Sequence, residues 1–304
     1  MTPATTPTGI EASMAAAVLP TGAAPSRGRR AVQRFLRRKT TWLALACLAL
    51  ILLMAVFAPW IAGHAPLAGG DGALLAPLSP GHWLGTDDLG RDIWARVVYG
   101  TRISLLVGVC SAAIAVVLGV LVGALAGYFG GWLDTALMRV AEFFQTLPRF
   151  VVALIVIALF GTSLTKMILV IALLSWPQLA RVVRVTVASL RDSQFVDAAR
   201  VAGMGDGAII VREILPNVAA PIIVIGSLDI AAAILIEASL SFFGLGDPNN
   251  VSWGAMLNDA QQYLRTAWWM SAFPGLGIAI TVLSFNLVGD ALNDALNPRG
   301  EHAS

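Results

Sequence analysis

The sequence predicts an all-α integral membrane protein with about six transmembrane helices, and three observations support this fold class. Hydrophobic residues make up 57% of the 304-residue chain and charged residues only 12%, whereas soluble domains average roughly 45–50% apolar and about 25% charged residues. Six apolar runs each reach the length of about 20 residues that a helix needs to cross the hydrocarbon core. The Lys and Arg residues are concentrated in a few segments.

The segment before the first apolar run is polar and then basic. Residues 1–26 are rich in Thr, Pro and Ala, which is typical of a disordered tail, and seven Lys and Arg residues follow between Arg27 and Lys39. A cleaved secretory signal would place its apolar segment nearer to the N-terminus. We therefore predict a disordered basic tail over residues 1–40 and an uncleaved first span that begins at Trp42.

The six predicted spans differ in how clearly they are bounded. They are Trp42–Ile61, Ile103–Tyr128, Leu137–Phe160, Leu164–Val183, Val218–Leu245 and Trp268–Leu287. The third contains Glu142, Gln145, Pro148 and Arg149, and charged residues within a span are costly. Two alternatives follow for this region: one interrupted span, or a shorter span preceded by an interfacial helix.

Span two carries a regular repeat of small residues. Gly119, Gly123 and Gly127 recur at every fourth position, and small residues at this spacing let two helix backbones approach closely. A direct role in a substrate path is the alternative. We expect packing between helices of this chain.

The basic residues predict the orientation of the chain. Thirteen of the twenty Lys and Arg residues lie in the N-terminal tail, between Arg181 and Arg212, and at Arg299. Because cytoplasmic loops are enriched in Lys and Arg, both termini and the loop 185–217 are predicted to be cytoplasmic. The chain then divides into the tail 1–40, a first span with an extracytoplasmic loop over 41–102, a five-helix core over 103–296, and a C-terminal tail over 297–304.

A short acidic cluster precedes span two. In the stretch GTDDLGRD, Asp87, Asp88 and Asp92 lie within six residues, and clustered carboxylates can bind calcium. Their spacing is not that of an EF-hand loop, whereas Asp and Gly together are typical of tight turns. We expect a structural turn and a helix cap. Cys47 and Cys110 lie in apolar runs, where free Cys acts as a small hydrophobe, so no metal site is predicted.

Two acidic residues lie inside predicted span five. Asp229 and Glu237 are separated by eight residues, and intramembrane charges usually face protein or water. Each of them either lines a water-filled pathway or is satisfied by a partner on a neighbouring helix. The sequence does not separate these two alternatives.

The loop between spans four and five, FVDAARVAGMGDGAIIVREILPN, has helix-boundary signals at both ends. Asp192 or Ser193 can cap a helix over Gln194–Ala202, and Gly203 suits the left-handed position that ends one. A second short helix can begin at Gly205-Asp206 and is limited by Pro216. The predicted apolar patch consists of Phe195, Ala198, Ala199 and Ala202. It suits docking into a groove of a partner, and a helix lying on lipid is the alternative.

Four stretches together resemble one known family. The Asp-Ala-Ala-x3-Gly pattern that starts at Asp197 and the later Ile-Leu-Pro resemble the cytoplasmic EAA loop of ABC importer permeases, although the family prefers Glu at the first position. GTDDLGRD, EASLSFFGLG (Glu237–Gly246) and FNLVGDALNDALNPR (Phe285–Arg299) resemble further motifs of one branch. The chain is similar, over roughly residues 30–300, to the second permease subunit of dipeptide, oligopeptide and nickel importers, the DppC/OppC type.

The resemblance implies an ABC importer type I permease fold in a bacterial cytoplasmic (inner) membrane. The implied partners are a homologous second permease subunit of the DppB/OppB type, two ABC ATPase subunits, an extracytoplasmic substrate-binding protein and membrane lipid, with no role for nucleic acid. This sequence has no Walker A motif, so the chain is not expected to be an enzyme or to hold a cofactor. ATP and magnesium would be bound by the ATPase subunits.

The resemblance also assigns residues to two surfaces. The ATPase-coupling element it implies consists of Asp197, Ala198, Ala199, Gly203, Ile214, Leu215 and Pro216. The extracytoplasmic motif it implies, near the binding protein, consists of Gly85, Thr86, Asp87, Asp88, Gly90, Arg91 and Asp92. Glu237 matches the family, and Asp229 is a pathway candidate on its charge alone.

Short peptides are the expected substrate, and nickel or a nickel chelate is the alternative within the family. A different class is a self-sufficient transporter driven by protons through Asp229 and Glu237, but the six spans show no obvious inverted repeat. An intramembrane serine hydrolase needs a catalytic base, and no His lies in a predicted span. We therefore expect a transport subunit without catalytic activity of its own.

Overall fold

A computed structural model describes residues 35–36, 39–70 and 72–296. Most of the predicted tail 1–40 and all of the predicted tail 297–304 lie outside the described residues. Within the described part of the chain the regular secondary structure is helical, and β-type pairing is limited to two isolated bridges, Ser79 with His82 and Thr86 with Asp92.

Eleven α-helices lie within the described ranges. They are α1 (Lys39–Val56), α2 (Ala58–Ile61), α3 (Ile93–Phe129), α4 (Gly131–Thr146), α5 (Arg149–Phe160), α6 (Leu164–Arg191), α7 (Gln194–Val201), α8 (Asp206–Ala208), α9 (Leu215–Leu240), α10 (Trp253–Ala260) and α11 (Trp269–Leu296). Wider π-helical turns over Ile209–Ile214 and Ser241–Leu245 flank α9, and a 3₁₀ turn over Gln261–Tyr263 follows α10.

Five of these segments are long and apolar enough to cross a membrane. They are α1, α3, α6, the continuous helix Asp206–Leu245 and α11, and the bent pair α4–α5 makes a sixth if it counts as one span. The predicted all-α membrane class and the count of about six spans are confirmed.

The third predicted span is broken. Helices α4 and α5 meet at an angle of 83°, with Leu147 in an extended conformation before Pro148. Proline disfavours helical backbone in the preceding residue and cannot donate a backbone hydrogen bond, which explains the break at this point. The structure therefore agrees with a shorter apolar helix that is preceded by a separate one.

Two predicted boundaries are wrong. The first span ends at Val56 and a short helix follows it, with Pro59 in the first turn of that helix. Pro216 does not separate a short helix from span five, because the chain passes through the wide turn Ile209–Ile214 directly into α9. In this turn Leu215 donates its backbone N–H to Ile210, and Pro216 follows as the second residue of α9.

The glycine repeat joins α3 to α6. A Cβ atom added to Gly123 would lie 2.8 Å from the Cβ of Val183, and one added to Gly119 or Gly127 would lie 3.0 Å from the Cβ of Leu179 or Val187. Such distances leave no room for a side chain, so the two backbones approach as closely as the repeat predicts. The expectation of packing within the chain is confirmed.

The buried apolar residues form several clusters along this bundle. One cluster surrounds Ile93 and Trp253, where α3 begins. Another surrounds Tyr128, Val187 and Ile214, where α3 ends. Helix α3 has 37 residues and is therefore about 55 Å long, so it connects the two ends of the molecule where the candidate sites lie.

Candidate functional site

Helix α7 forms the first arm of the loop between α6 and α9. It ends in a Schellman motif: the backbone N–H of Met204 donates to Ala199 O at 3.0 Å and that of Gly203 donates to Arg200 O at 2.9 Å. Gly203 has a φ of +80°, the left-handed conformation that favours glycine. The predicted left-handed position is confirmed. Ser193 occupies the N-cap position with extended backbone but makes no side-chain cap bond, because its hydroxyl donates to Leu190 O instead.

One face of this loop is buried against α3 and α6. The side chains of Val196, Ile209 and Ile214 are fully buried in the cluster that contains Tyr128 and Val187. Leu215 and Ala199 pack against the same cluster from its edge. Ile214 and Leu215 of the predicted coupling element therefore hold the loop in place, while Pro216 is exposed.

The opposite face of α7 is exposed in this chain. Asp197, Ala198 and Ala202 are exposed, Phe195 is partly so, and Val201 has 90% of its surface exposed. The predicted patch is wrong at one position, since Ala199 turns toward the core. It also omitted Val201, which lies three residues after Ala198 and could have been found by continuing the helical spacing.

Polar contacts connect both arms of the loop to the end of α3. The Tyr128 hydroxyl donates to Asp206 Oδ1 at 2.6 Å, and the Arg200 guanidinium lies 5.8 Å from the centre of the Tyr128 ring. Arg200 also donates to Asp197 Oδ1 at 3.2 Å. The neighbouring Tyr128 hydroxyl raises the pKa of the Arg200 guanidinium and Asp197 raises it further, so this side chain is cationic at physiological pH.

At the other end of α3, the GTDDLGRD stretch folds into a turn around a buried carboxylate. Asp87 is fully buried. It accepts hydrogen bonds from the backbone N–H groups of Leu89 and Arg91 at 2.9 and 2.8 Å. It also accepts from Nε of Arg91 at 2.6 Å and from the guanidinium of Arg96. Its charge is thus compensated by two arginines.

The same two arginines reach a residue far along the chain. Arg96 donates to Asp259 Oδ2 at 2.7 Å and Arg91 donates to the same atom at 3.1 Å. Asp88 lies 3.9 Å from Arg91. This network connects the turn to α10. Asp259 was not among the predicted residues, because no motif in the neighbouring sequence indicates its contact with the arginines.

The remaining residues of the stretch support the turn and begin the helix. Asp92 caps α3 by accepting from Ala95 N at 2.8 Å. The Thr86 hydroxyl donates to Gly72 O at 2.7 Å, and its carbonyl accepts from Trp269 Nε1 at 3.1 Å. Gly85 and Gly90 are buried in the turn. The predicted turn and cap are confirmed, and in the described ranges no group of three or more His, Cys, Asp or Glu residues is placed to hold a metal.

The two acidic residues of span five have different environments. Glu237 has 1% of its surface exposed and accepts hydrogen bonds from Ser104 at 3.1 Å and Ser241 at 2.8 Å. Asp229 has 6% exposed, and its Oδ2 atom has no hydrogen-bond partner among the described residues. Glu237 thus has a hydrogen-bond partner on the neighbouring helix α3, which was one of the two predicted alternatives. Asp229 instead has an oxygen without such a partner among the described residues.

Comparison with known proteins decides the family. The model described as "Binding-protein-dependent transport system inner membrane component" matches residues 119–302, and that of the N-terminal TM domain of oligopeptide transport permease C matches residues 26–77. The chain belongs to the binding-protein-dependent transport permeases. It is a permease subunit of an ABC importer, a membrane protein of a family that works with other permease, ATPase and binding-protein subunits.

Curated relatives of this permease match nearly its whole length. It is 39% identical over 277 residues to the dipeptide transport system permease protein DppC of Alkalihalophilus pseudofirmus, with 91% of each chain covered. It is 37% identical over 290 residues to the di/tripeptide transport system permease protein DppC of Pseudomonas aeruginosa, covering 92% of this chain and 95% of the relative. The nickel transport system permease protein NikC of Escherichia coli is 40% identical over 264 residues, covering 86% and 95%.

Proposed function

We propose that this permease forms half of the pathway by which an ATP-driven importer takes up dipeptides or oligopeptides. The support for this substrate class is that several similar permeases are named for peptide transport. Nickel or a nickel chelate is the second candidate, because the nickel permease NikC is as similar in sequence. The second half of the pathway is a homologous permease of the DppB/OppB type.

The proposed coupling to an ATPase is supported by the exposed face of α7, which lies on a loop that is otherwise packed into the bundle. Phe195, Ala198 and Val201 present an apolar surface with no partner in the described chain, which suits a groove on an ATPase subunit. Two such ATPase subunits bind ATP and Mg²⁺ and hydrolyse the ATP. Their closure moves α7 as a unit and biases the spans between an inward-open and an outward-open state.

The opposite end of α3 then faces the binding protein outside the cell. The buried network around Asp87 keeps the turn in one shape, and Leu78, Trp83 and Leu89 on the same loop are strongly exposed. These apolar side chains are suited to contact a protein surface. Both termini and the α7 loop are cytoplasmic in this arrangement.

Asp229 and Glu237 are the candidates for residues that line the pathway. Asp229 is the stronger of the two, since a buried carboxylate oxygen without a partner is costly and is expected to meet water, substrate or the second permease. Glu237 already accepts two hydrogen bonds from serines. A proton-driven transporter would use these same residues without ATPases.

Reconstitution in proteoliposomes tests the proposed function. The permease is co-expressed with its partner permease and ATPases, and uptake of a labelled dipeptide and of ⁶³Ni²⁺ is measured with the binding protein present. We expect dipeptide uptake that requires ATP. ATP-driven nickel uptake without peptide uptake would favour the second candidate, and uptake by this chain alone under a proton gradient would refute the ABC mechanism.

The docking face is tested separately by co-purification. Val201→Asp places a charge on the exposed face of α7 and is expected to release the ATPase subunits. Val211→Asp is the matched control, because Val211 is also exposed but lies on the turn Ile209–Ile214 outside α7. Retention of the ATPases by the Val201 variant would contradict docking through this face.

A further inference from the structure

Tyr128, in the last turn of α3, contacts both arms of the loop that contains α7. Its side chain is 5% exposed. Its hydroxyl donates to Asp206 at the start of α8, and its ring faces Arg200 of α7. Nothing in the family resemblance pointed to Tyr128, which lies about 70 residues before this loop in sequence.

The hydrogen bond to Asp206 differs in kind from the other contacts of the loop. Val196 and Ala199 pack against α3 and α6 through apolar contacts, which are not directional. A hydroxyl–carboxylate hydrogen bond of 2.6 Å is directional and short, as expected for a charged acceptor. This hydrogen bond joins Asp206 of the loop directly to a membrane span, and the guanidinium of Arg200 lies beside the same tyrosine.

Because Tyr128 lies at the end of α3, its hydrogen bond to Asp206 connects the loop to the whole of this helix. Helix α3 is packed tightly on α6 through the glycine repeat, and its first turns are fixed by Asp92 and by the ion pairs of Arg96. A displacement of the loop that moves Tyr128 therefore also moves α3, because Tyr128 belongs to this long helix. Apolar packing alone would let α7 slide over the end of α3.

We propose that Tyr128 is a positioning residue that locks the α7–α8 loop to α3, so that a displacement of α7 moves the second span. This role rests on the proposed coupling of α7 to an ATPase. The hydroxyl of Tyr128 and the carboxylate of Asp206 form the lock, and the ring of Tyr128 holds Arg200 beside it. Loss of the hydroxyl leaves the buried ring in place and removes the hydrogen bond to Asp206 together with the contact of the hydroxyl with Arg200.

The lock itself is measured without partner subunits. Amide hydrogen exchange of α7 is recorded in the full chain in lipid nanodiscs. We expect Tyr128→Phe and Asp206→Ala to speed exchange in α7 by roughly tenfold, since a hydrogen bond to a charged group is lost. Asp206→Asn keeps an acceptor oxygen but loses the charge, so its exchange is expected to fall between that of the wild type and that of Asp206→Ala. The double variant Tyr128→Phe/Asp206→Ala is expected to be no faster than either single variant.

The consequence for coupling is measured in the reconstituted importer. We expect Tyr128→Phe to lower the number of peptides imported per ATP hydrolysed by about threefold or more, while the ATPases still co-purify with the permease. Tyr263→Phe, near the opposite end of α3, is the matched control and is expected to leave this ratio unchanged. Asp206→Asn, which keeps a neutral acceptor, is expected to restore part of the ratio that Asp206→Ala loses.

The outcomes separate the lock from the proposed function. Unchanged exchange in Tyr128→Phe, or additive effects in the double variant, would overturn the lock whatever the transport data show. Faster exchange with an unchanged import ratio would overturn its role in coupling. If wild-type uptake requires no ATP, the proposed function fails, and the exchange data still decide whether the Tyr128–Asp206 contact holds the loop.

Discussion

Arg96 of α3 and Asp87 of the preceding loop form an ion pair in which both side chains are shielded from solvent, with 4% and 0% exposed. Arg96 reaches across to Asp259 of α10 at the same time. A buried charge that loses its partner is strongly destabilising, so this pair explains why the turn before α3 has one conformation.

The first prediction concerns this ion pair. Arg96→Ala is expected to destabilise the permease by about 3–5 kcal/mol, because Asp87 then stays buried without one of its cations. Thermal unfolding in detergent measures the effect. Arg139→Ala is the control, since Arg139 and Glu142 pair while 78% and 51% exposed, and exposed pairs contribute about 0–1 kcal/mol. Equal losses in the two variants would contradict the burial of the network.

The second prediction concerns the contact between α3 and α6. Gly123→Ala is expected to lower the unfolding temperature, because the new Cβ would lie 2.8 Å from the Cβ of Val183 and overpacking costs about 1–3 kcal/mol. Gly275→Ala in α11 is the control, because within the described residues no atom packed against this helix lies within 4 Å of the added Cβ. Here we expect unchanged or slightly higher stability, since Ala favours helix over Gly by about 1 kcal/mol. A stable Gly123 variant would show that the helices can separate freely.

The third prediction concerns the end of α7. Gly203→Val is expected to abolish uptake while the complex still reaches the membrane, because a β-branched residue tolerates a φ of +80° poorly. Gly207→Val, four residues further in α8, has open space around its added Cβ and no positive φ, and uptake should persist. Uptake assays and membrane immunoblots measure both. Wild-type uptake in the Gly203 variant would mean that the orientation of α7 does not matter.

The fourth prediction separates Asp229 from Glu237. Glu237→Gln is expected to lower thermal stability and to retain transport per folded complex, because Glu237 is held by Ser104 and Ser241. Asp229→Asn is expected to lower transport with little loss of stability, because its Oδ2 atom has no hydrogen-bond partner among the described residues. Transport and unfolding temperature are measured on the same preparations. The reverse pattern would assign the pathway role to Glu237.

The fifth prediction concerns orientation. In a variant without Cys47 and Cys110, a single cysteine at Val201 should react with a membrane-impermeant maleimide in inside-out vesicles. A single cysteine at Leu89 should react in right-side-out vesicles. Both positions are exposed, so differences in labelling report sidedness. Labelling of both positions from the same side would contradict the orientation inferred from Lys and Arg.

Features that depend on a few neighbouring residues could be predicted. Hydropathy located the spans, and the spacing of Gly119, Gly123 and Gly127 indicated a close helix contact. Gly203 marked a helix end, and the Asp residues of GTDDLGRD indicated a helix cap, because these features depend on local backbone geometry. The break at Pro148 also follows from local sterics. The passage of the helix through Pro216 was missed because a π-helical turn has no clear sequence signal.

The amino-acid sequence by itself determined the membrane class, the approximate positions of the spans, the helix cap before α3 and the family motifs of this permease, because these depend on composition, spacing and local backbone sterics. Only the tertiary structure decided which charges meet. Asp259 joins Arg96 across 163 positions, and Tyr128 meets Asp206 across 78. Glu237 accepts a hydrogen bond from Ser104, whereas Asp229 Oδ2 has no partner in the part of the chain that the structure describes. Such contacts depend on how distant helices pack and turn toward each other, and no short-range pattern encodes that arrangement.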